Sequence, residues 1–242
     1  SQVGGLVGGV WGTGAITNSY ASGAISGTSA VGGLAGDNRF ASVDSSYATG
    51  TVTGTGDQVG GLLGRGGKAV TNSYASGAVS GADYVGGLVG NYTGSSTGSY
   101  VTNASTVSGV NYVGGLVGIL GSNTNATASI TNGTSAAAVT GAANGESIGG
   151  LVGASYGTVT NSNSSGLVTS GTNAFAVAGL IGANHGVLSN TATNTSLVVA
   201  GTGSETLGTL LGLHSGTENG SLSTATITLG GSLVASPARV GL

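Results

Sequence analysis

Val85-Gly-Gly-Leu-Val-Gly90 recurs unchanged as Val3-Gly-Gly-Leu-Val-Gly8 and Val113-Gly-Gly-Leu-Val-Gly118, and with small edits five more times. Its leucine falls at Leu6, Leu34, Leu62, Leu88, Leu116, Leu151, Leu180 and Leu210. The intervals are 28, 28, 26, 28, 35, 29 and 30 residues, so the repeat occupies nearly all of the 242-residue chain. A period of that size marks a solenoid, a propeller or an array. A unit so small cannot bury its own apolar face and needs a neighbour stacked on it.

Aligned on the leucine, the copies form columns. Glycine stands two positions after it in all eight copies, and one and two positions before it in seven each, with Thr209 and Ala178 the exceptions. Three before, the residue is always aliphatic: Val3, Val31, Val59, Val85, Val113, Ile148, Val177 and Leu207. Glycine is demanded where φ is positive or where a Cβ would strike a neighbouring layer. In a regular strand, positions three apart face opposite sides, so the valine and the leucine cannot both point inward. A bend at the Gly-Gly pair would turn both toward the axis.

The second half of the first copy reads Ile16-Thr-Asn-Ser-Tyr-Ala-Ser-Gly-Ala-Ile-Ser-Gly27. An asparagine column runs through Asn18, Asn72, Asn132, Asn161, Asn190 and Asn219, with Ser45 in the second copy and either Gly98 or Asn103 in the fourth. Aliphatic residues stand two before it (Ile16, Val43, Val70, Ile130, Val159, Leu188) and seven after it (Ile25, Val52, Val79, Val139, Val168, Leu197). Short β-rich runs between Gly/Ser/Asn turns indicate strands. The expected fold is all-β, a parallel β-solenoid of about eight coils of 26–35 residues. A right-handed helix is favoured by the preference of crossover connections. Strands of one type would stack at ~4.8 Å into a rod ~38 Å long. Each buried aliphatic would contribute about 1.5–3 kcal/mol before entropy. The asparagines would form an amide ladder, and Tyr20, Tyr47 and Tyr74 an aromatic column.

Composition excludes several functions. Glycine supplies 52 residues and charged residues 5 %, yet 38 % of the chain is hydrophobic and recurs in register, which favours an ordered solenoid over a disordered linker. The net charge is −3 with four scattered cations, Arg39, Arg65, Lys68 and Arg239. That is too few to neutralise a nucleic-acid backbone. No apolar run approaches the ~18 residues of a membrane helix. Cysteine is absent, which removes disulfides and thiolate metal sites. No leader is visible, so the chain reads as a single repeat domain over 1–242, processed from or cut out of something longer, with 217–242 an irregular coil or cap.

Candidate sites are sparse. Asp57, Asp83, Glu146 and Glu205 share one column with Asn111. Asp57 and Asp83 would stack in adjacent coils, as a weak calcium site or as a solvated corner. His185 and His214 follow their leucines at different offsets, with Glu218 the nearest acid in sequence. Arg65 and Lys68, with Asp37 and Arg39 one coil earlier, read as a surface charge patch. Thr-x-Thr pairs (Thr51/Thr53, Thr158/Thr160, Thr191/Thr193, Thr224/Thr226, Thr226/Thr228) raise ice binding but do not share a column. Asn-x-Ser/Thr triplets begin at Asn91, Asn103, Asn125, Asn132, Asn163, Asn194 and Asn219; any in the ladder would be buried. No nucleophile elbow and no cofactor motif stands out.

The Gly-Gly-Leu-Val-Gly phrase followed by Asn-Ser-Tyr-Ala-Ser-Gly resembles the GLUG repeat of bacterial secreted and surface proteins. These include adhesins similar to filamentous haemagglutinin and cell-surface proteins related to immunoglobulin A peptidases. The resemblance spans the chain, is closest in the first three copies and fades after Asn161, where the tyrosine is lost. It implies export, a β-helical fold and a structural or adhesive role at the bacterial surface, and it carries no catalytic residues. The expected partners are a surface receptor or polysaccharide bound at the longer loop Gly121–Ala128, or further copies of the chain stacked into a filament, since a solenoid end presents unpaired strands.

Overall fold

One repeat makes one coil of five short strands. In the first they are β1 (Val3–Gly4), β2 (Val7–Val10), β3 (Ala15–Thr17), β4 (Tyr20–Ala21) and β5 (Ile25–Gly27). A computed structural model describes residues 1–101, 105–199, 203 and 206–229. Equivalent strands of successive coils pair in parallel, giving five eight-stranded sheets, each running through all eight coils. The parallel β-solenoid read from the repeat is therefore the fold.

The aligned columns are the inter-coil registers. Val3 pairs with Val31, and Val31 with Val59. Ile16 pairs with Val43, and Val43 with Val70. Ile25 pairs with Val52, and Val52 with Val79. Stacking like on like makes one apolar core cluster that continues from Val31 to Leu211, with Val3, Val7, Ile16 and Ile25 packed against its first-coil end. The leucine column is its centre: Leu34, Leu62, Leu88, Leu116, Leu151 and Leu180 are fully buried and Leu210 is 9 % exposed. Leu6, in the first coil, is 53 % exposed.

The bend at the glycine pair is present. Val31 lies in the β1 sheet and Ala35 in the β2 sheet, and both Val31 and Leu34 are fully buried. The phrase glycines are there for space. A Cβ on Gly32 would sit 2.0 Å from the Ala35 carbonyl oxygen, and one on Gly33 2.2 Å from the Gly61 oxygen and 2.7 Å from the Ala48 Cβ. One on Gly36 would sit 2.6 Å from the Ala30 oxygen. No side chain fits between layers that close.

Left-handed backbone is found instead in two long columns of mostly non-glycine residues, and in a short third one formed by Asn144, Asn173 and Gly203. One is the asparagine column: Asn18, Ser45, Asn72, Asn132, Asn161 and Asn190 have φ between 48° and 54°, and Gly98 and Gly220 complete it. The other precedes the aliphatic residue of the phrase and holds Ala30, Gln58, Tyr84, Tyr112, Ser147 and Ala176.

This changes the expected amide ladder. The asparagines are exposed, and they occupy the column because asparagine tolerates the left-handed conformation better than other side chains. Asn219 is not in it: Ser189 pairs with Asn219, so Gly220 lies opposite Asn190. In the fourth coil the place belongs to Gly98, because Thr71 pairs with Thr97; Asn103 lies outside the described residues.

The polar ladder is one residue further on. The Ser46 and Ser73 hydroxyls accept the backbone N–H of Ser19 and Ser46 at 3.1 and 3.2 Å, and Ser162 accepts that of Gly133 at 3.0 Å. Each donates to the carbonyl two residues earlier in its own coil, at 2.7–2.8 Å. Ser46, Ser73, Ser99, Ser162 and Thr191 are all buried. Within the expected C-terminal irregularity, residues 217–229 continue the regular pattern as Thr217–Asn219, Leu222–Ser223 and Ile227–Leu229. The remainder, including Arg239, lies outside the described residues.

Candidate binding surfaces

Function on a rod of this kind must be sought on its outer columns. The tyrosine column forms as expected. Tyr20, Tyr47 and Tyr74 stack with ring centroids 5.3 and 4.9 Å apart and interplanar angles of 11° and 6°. A second stack, Tyr84 over Tyr112 at 5.1 Å, stands on the left-handed column. Partial burial raises the pKa of both phenols, and the carboxylates of Asp83 and Glu146 add to the effect.

Those carboxylates belong to the acid column. The register of Val59 on Val85 places Asp57 next to Asp83. On its other side Asp83 meets Asn111, whose Nδ2 donates to Asp83 Oδ1 at 2.8 Å. The Asn111 Oδ1 accepts the backbone N–H of Glu146 at 3.0 Å. The amide separates two carboxylates and ties three coils together. Among the described residues no group of three or more His, Asp or Glu side chains could hold a metal ion. Glu205 lies outside the described residues.

The expected charge patch is a partly buried cluster. Asp37 is only 2 % exposed and receives Arg39 Nε at 2.9 Å, Arg65 at 3.5 Å and the Gln2 amide at 3.0 Å. The Arg39 guanidinium also lies 5.7 Å from the centroids of the Trp11 and Phe40 rings. Lys68 is not drawn into the cluster; its carbonyl accepts the buried Tyr92 hydroxyl at 3.1 Å. The threonine pairs are dispersed. Thr53 lies in the β5 sheet and Thr158 and Thr160 in the β3 sheet, while Thr191 and Thr193 are buried. Among the described residues they form no flat threonine array.

The two histidines separate, because their different offsets place them in different columns. His214 pairs with Asn184, whose side-chain amide is 3.4 Å from its Nδ1. His185 lies one position further along the corner, stacked on Tyr156 at 4.7 Å with its Nδ1 2.7 Å from Ser215 Oγ. Glu218 serves its own turn, accepting the Ser221 N–H at 2.7 Å.

The longer loop 121–128 stands beside that corner. Gly121 enters it with φ 73°, anchored by its N–H to the Tyr92 carbonyl at 2.8 Å. Ser122 and Asn125 then exchange both backbone hydrogen bonds at 2.9 Å, and Asn125 Oδ1 accepts the Thr127 hydroxyl at 2.7 Å. The result is a self-bonded projection, not a slack loop. Its Ala126 walls a cleft of about 400 Å³ whose other side is formed by Tyr156, His185, Ser215 and Thr217, with Gly157, Gly186 and Gly216 between them. The loop's irregular length was legible; the cleft was not, since it joins residues some 90 positions apart in sequence.

Residues 1–26 and 27–53 each match the family model of the GLUG motif, so the first two coils carry that motif, one per coil. No curated protein matches the chain. In fold the chain is similar to the crystal structure of a candidate immunoglobulin A1 protease from Bacteroides ovatus, with a TM-score of 0.54 at 14 % sequence identity. The match covers 94 % of this chain but 63 % of that one, so the chain spans less than two thirds of that protein's length. At that identity the likeness is one of fold.

Proposed function

We propose that this GLUG-bearing solenoid is a structural and adhesive rod module of a secreted or surface-exposed bacterial protein, which holds a binding surface and does no chemistry itself. One observation carries the reading: all five sheets continue through every coil, so each coil is locked to its neighbours on every side. An element built that way suits spacing and display. The GLUG matches in the first two coils support the same reading. Two measurements on the purified chain test it. Small-angle scattering should give the profile of the stacked solenoid, and immunoglobulin A1 incubated with the chain should remain intact. A profile that the stacked coils do not fit, or cleavage of the immunoglobulin by this chain, would overturn the reading.

A second reading is suggested by the like-on-like register of the coils, by which the first coil of one copy can receive the last coil of another. In it, a second copy stacks on that coil and the chain polymerises end to end into a filament. Sedimentation velocity across a concentration series decides it. A polymer with an axial repeat of ~38 Å supports it. A monomer at every concentration sinks it.

A further inference from the structure

The corner of the last three coils carries a cleft that the regular repeat does not need. We infer that it is a binding site for a neutral saccharide, gripped between the loop 121–128 and the Tyr156–His185–Ser215 column. The inference rests on the adhesive reading above and names the ligand class that reading leaves open.

Four observations converge on it. The wall exists because the interval between Leu116 and Leu151 is 35 residues, where the others are 26–30. The extra residues are spent on a projection held by its own hydrogen bonds, which makes the wall preformed. A preformed site avoids the ordering cost of binding. The volume, about 400 Å³, falls within the range of small-molecule sites.

The lining has the chemistry of a sugar site. Tyr156 and His185 stack on each other at 4.7 Å, and the ring face and edges that each leaves uncovered can pack against the C–H face of a pyranose whose hydroxyls remain free to hydrogen-bond. Thr217 and Thr158 supply hydroxyls that both donate and accept, and Ser215 a hydroxyl shared with His185. His185 Nδ1 is engaged with the Ser215 hydroxyl at 2.7 Å, which fixes the ring. The lining contains no Asp, Glu, Lys or Arg, so nothing in it would compensate the charge of an ionic ligand.

The floor is bare. Gly157, Gly186 and Gly216 stack in one column, and a Cβ on Gly186 would meet the Gly157 oxygen at 1.9 Å. The packing that requires these glycines also leaves the cleft unfilled by side chains. Three coils at ~4.8 Å give it a length of ~10 Å along the rod. That suits a mono- or disaccharide unit of a longer chain.

Saturation-transfer NMR on the whole chain tests the site. The probes are glucose, galactose, mannose and N-acetylglucosamine with their common disaccharides, and glucuronate and a basic tripeptide for comparison. At least one neutral sugar should give a transfer signal, with the acid and the peptide giving none. Tyr156→Ala and His185→Ala should each weaken that binding about tenfold or more. Tyr20→Ala, on another face, should leave it unchanged. Circular dichroism on each variant separates lost binding from lost folding, and Thr217→Ser provides a second variant that keeps the hydroxyl and should keep binding. No signal from any neutral sugar, undiminished binding by Tyr156→Ala and His185→Ala, or preference for glucuronate or the peptide would overturn the proposal. A scattering profile of the stacked solenoid together with no sugar binding would defeat this site and leave the structural reading standing.

Discussion

The Ser73 hydroxyl accepts the backbone N–H of Ser46, one coil away, at 3.2 Å and donates to the Thr71 carbonyl at 2.7 Å. Its chain neighbour Asn72 is exposed, with φ 49°. The two adjacent positions divide the work of the turn: the first reverses the backbone and the second satisfies it. Ser73→Ala would leave a buried N–H without its acceptor and should cost about 1–3 kcal/mol. Asn72→Gly should stay within about 0.5 kcal/mol, whereas Asn72→Val should cost about 1–3 kcal/mol through left-handed strain. Urea denaturation of the three variants checks the order; equal losses for Asn72→Gly and Asn72→Val would refute the backbone role of Asn72.

Gly33 and Gly12 separate the two uses of glycine in this chain. A Cβ at Gly33 would lie 2.2 Å from a backbone oxygen, while one at Gly12 would meet nothing within 4 Å. Gly33→Ala should therefore cost about 3 kcal/mol or more, because the obstacle is backbone and cannot rotate away. Gly12→Ala should be neutral within about 0.5 kcal/mol. Thermal melting of both variants provides the comparison.

Ser96 interrupts an aliphatic column. It pairs with Val70 on one side and Ile130 on the other, is 1 % exposed, and its hydroxyl has no hydrogen-bond partner. Removing that hydroxyl removes an uncompensated desolvation cost. Ser96→Ala should stabilise the chain by about 1 kcal/mol. A lower melting temperature for this variant would contradict the assignment.

Alkaline pH should weaken the rod. Burial raises the pKa of Tyr92 above its ordinary 10.0, and Tyr84 and Tyr112 are shifted in the same direction. The unfolded chain ionises near that ordinary value, while the folded chain holds its proton. The stability that these phenols contribute is thus intact below about pH 10 and falls above it, by up to ~1.4 kcal/mol per pH unit for the buried Tyr92 and by less for the more exposed Tyr84 and Tyr112. Tyr92→Phe should make the decline shallower. It should also lose about 1 kcal/mol at neutral pH with the bond to the Lys68 carbonyl. Stability measured from pH 7 to 11 would show both effects.

The strands, their parallel stacking and the buried columns follow from the repeat alone. A unit that cannot bury Val31 and Leu34 by itself must stack, and stacking like on like turns an alignment into a register. The Gly-Gly bend is legible for the same reason, because both apolar neighbours need the core. The destination of the asparagines is not. A recurring polar residue fits a buried ladder or a left-handed turn equally well, and the choice fell to the backbone: φ 49° at Asn72 points its side chain outward and hands the interior to Ser73. In the last copy asparagine and glycine stand side by side, so the repeat alone does not separate Asn219 from Gly220 as the turn residue.

The periodic sequence thus determined what is common to every coil, since repetition in the chain is repetition along the axis. Only the tertiary structure decided what is particular to a place on the rod. Tyr156, His185 and Ser215 each stand five residues after their leucine and so stack as one column that the alignment already carries; they line a cleft only because Ala126, from the longer fifth copy, reaches their corner. Contacts between unlike positions of different coils depend on where each corner falls in space, and spacing along the chain does not encode that.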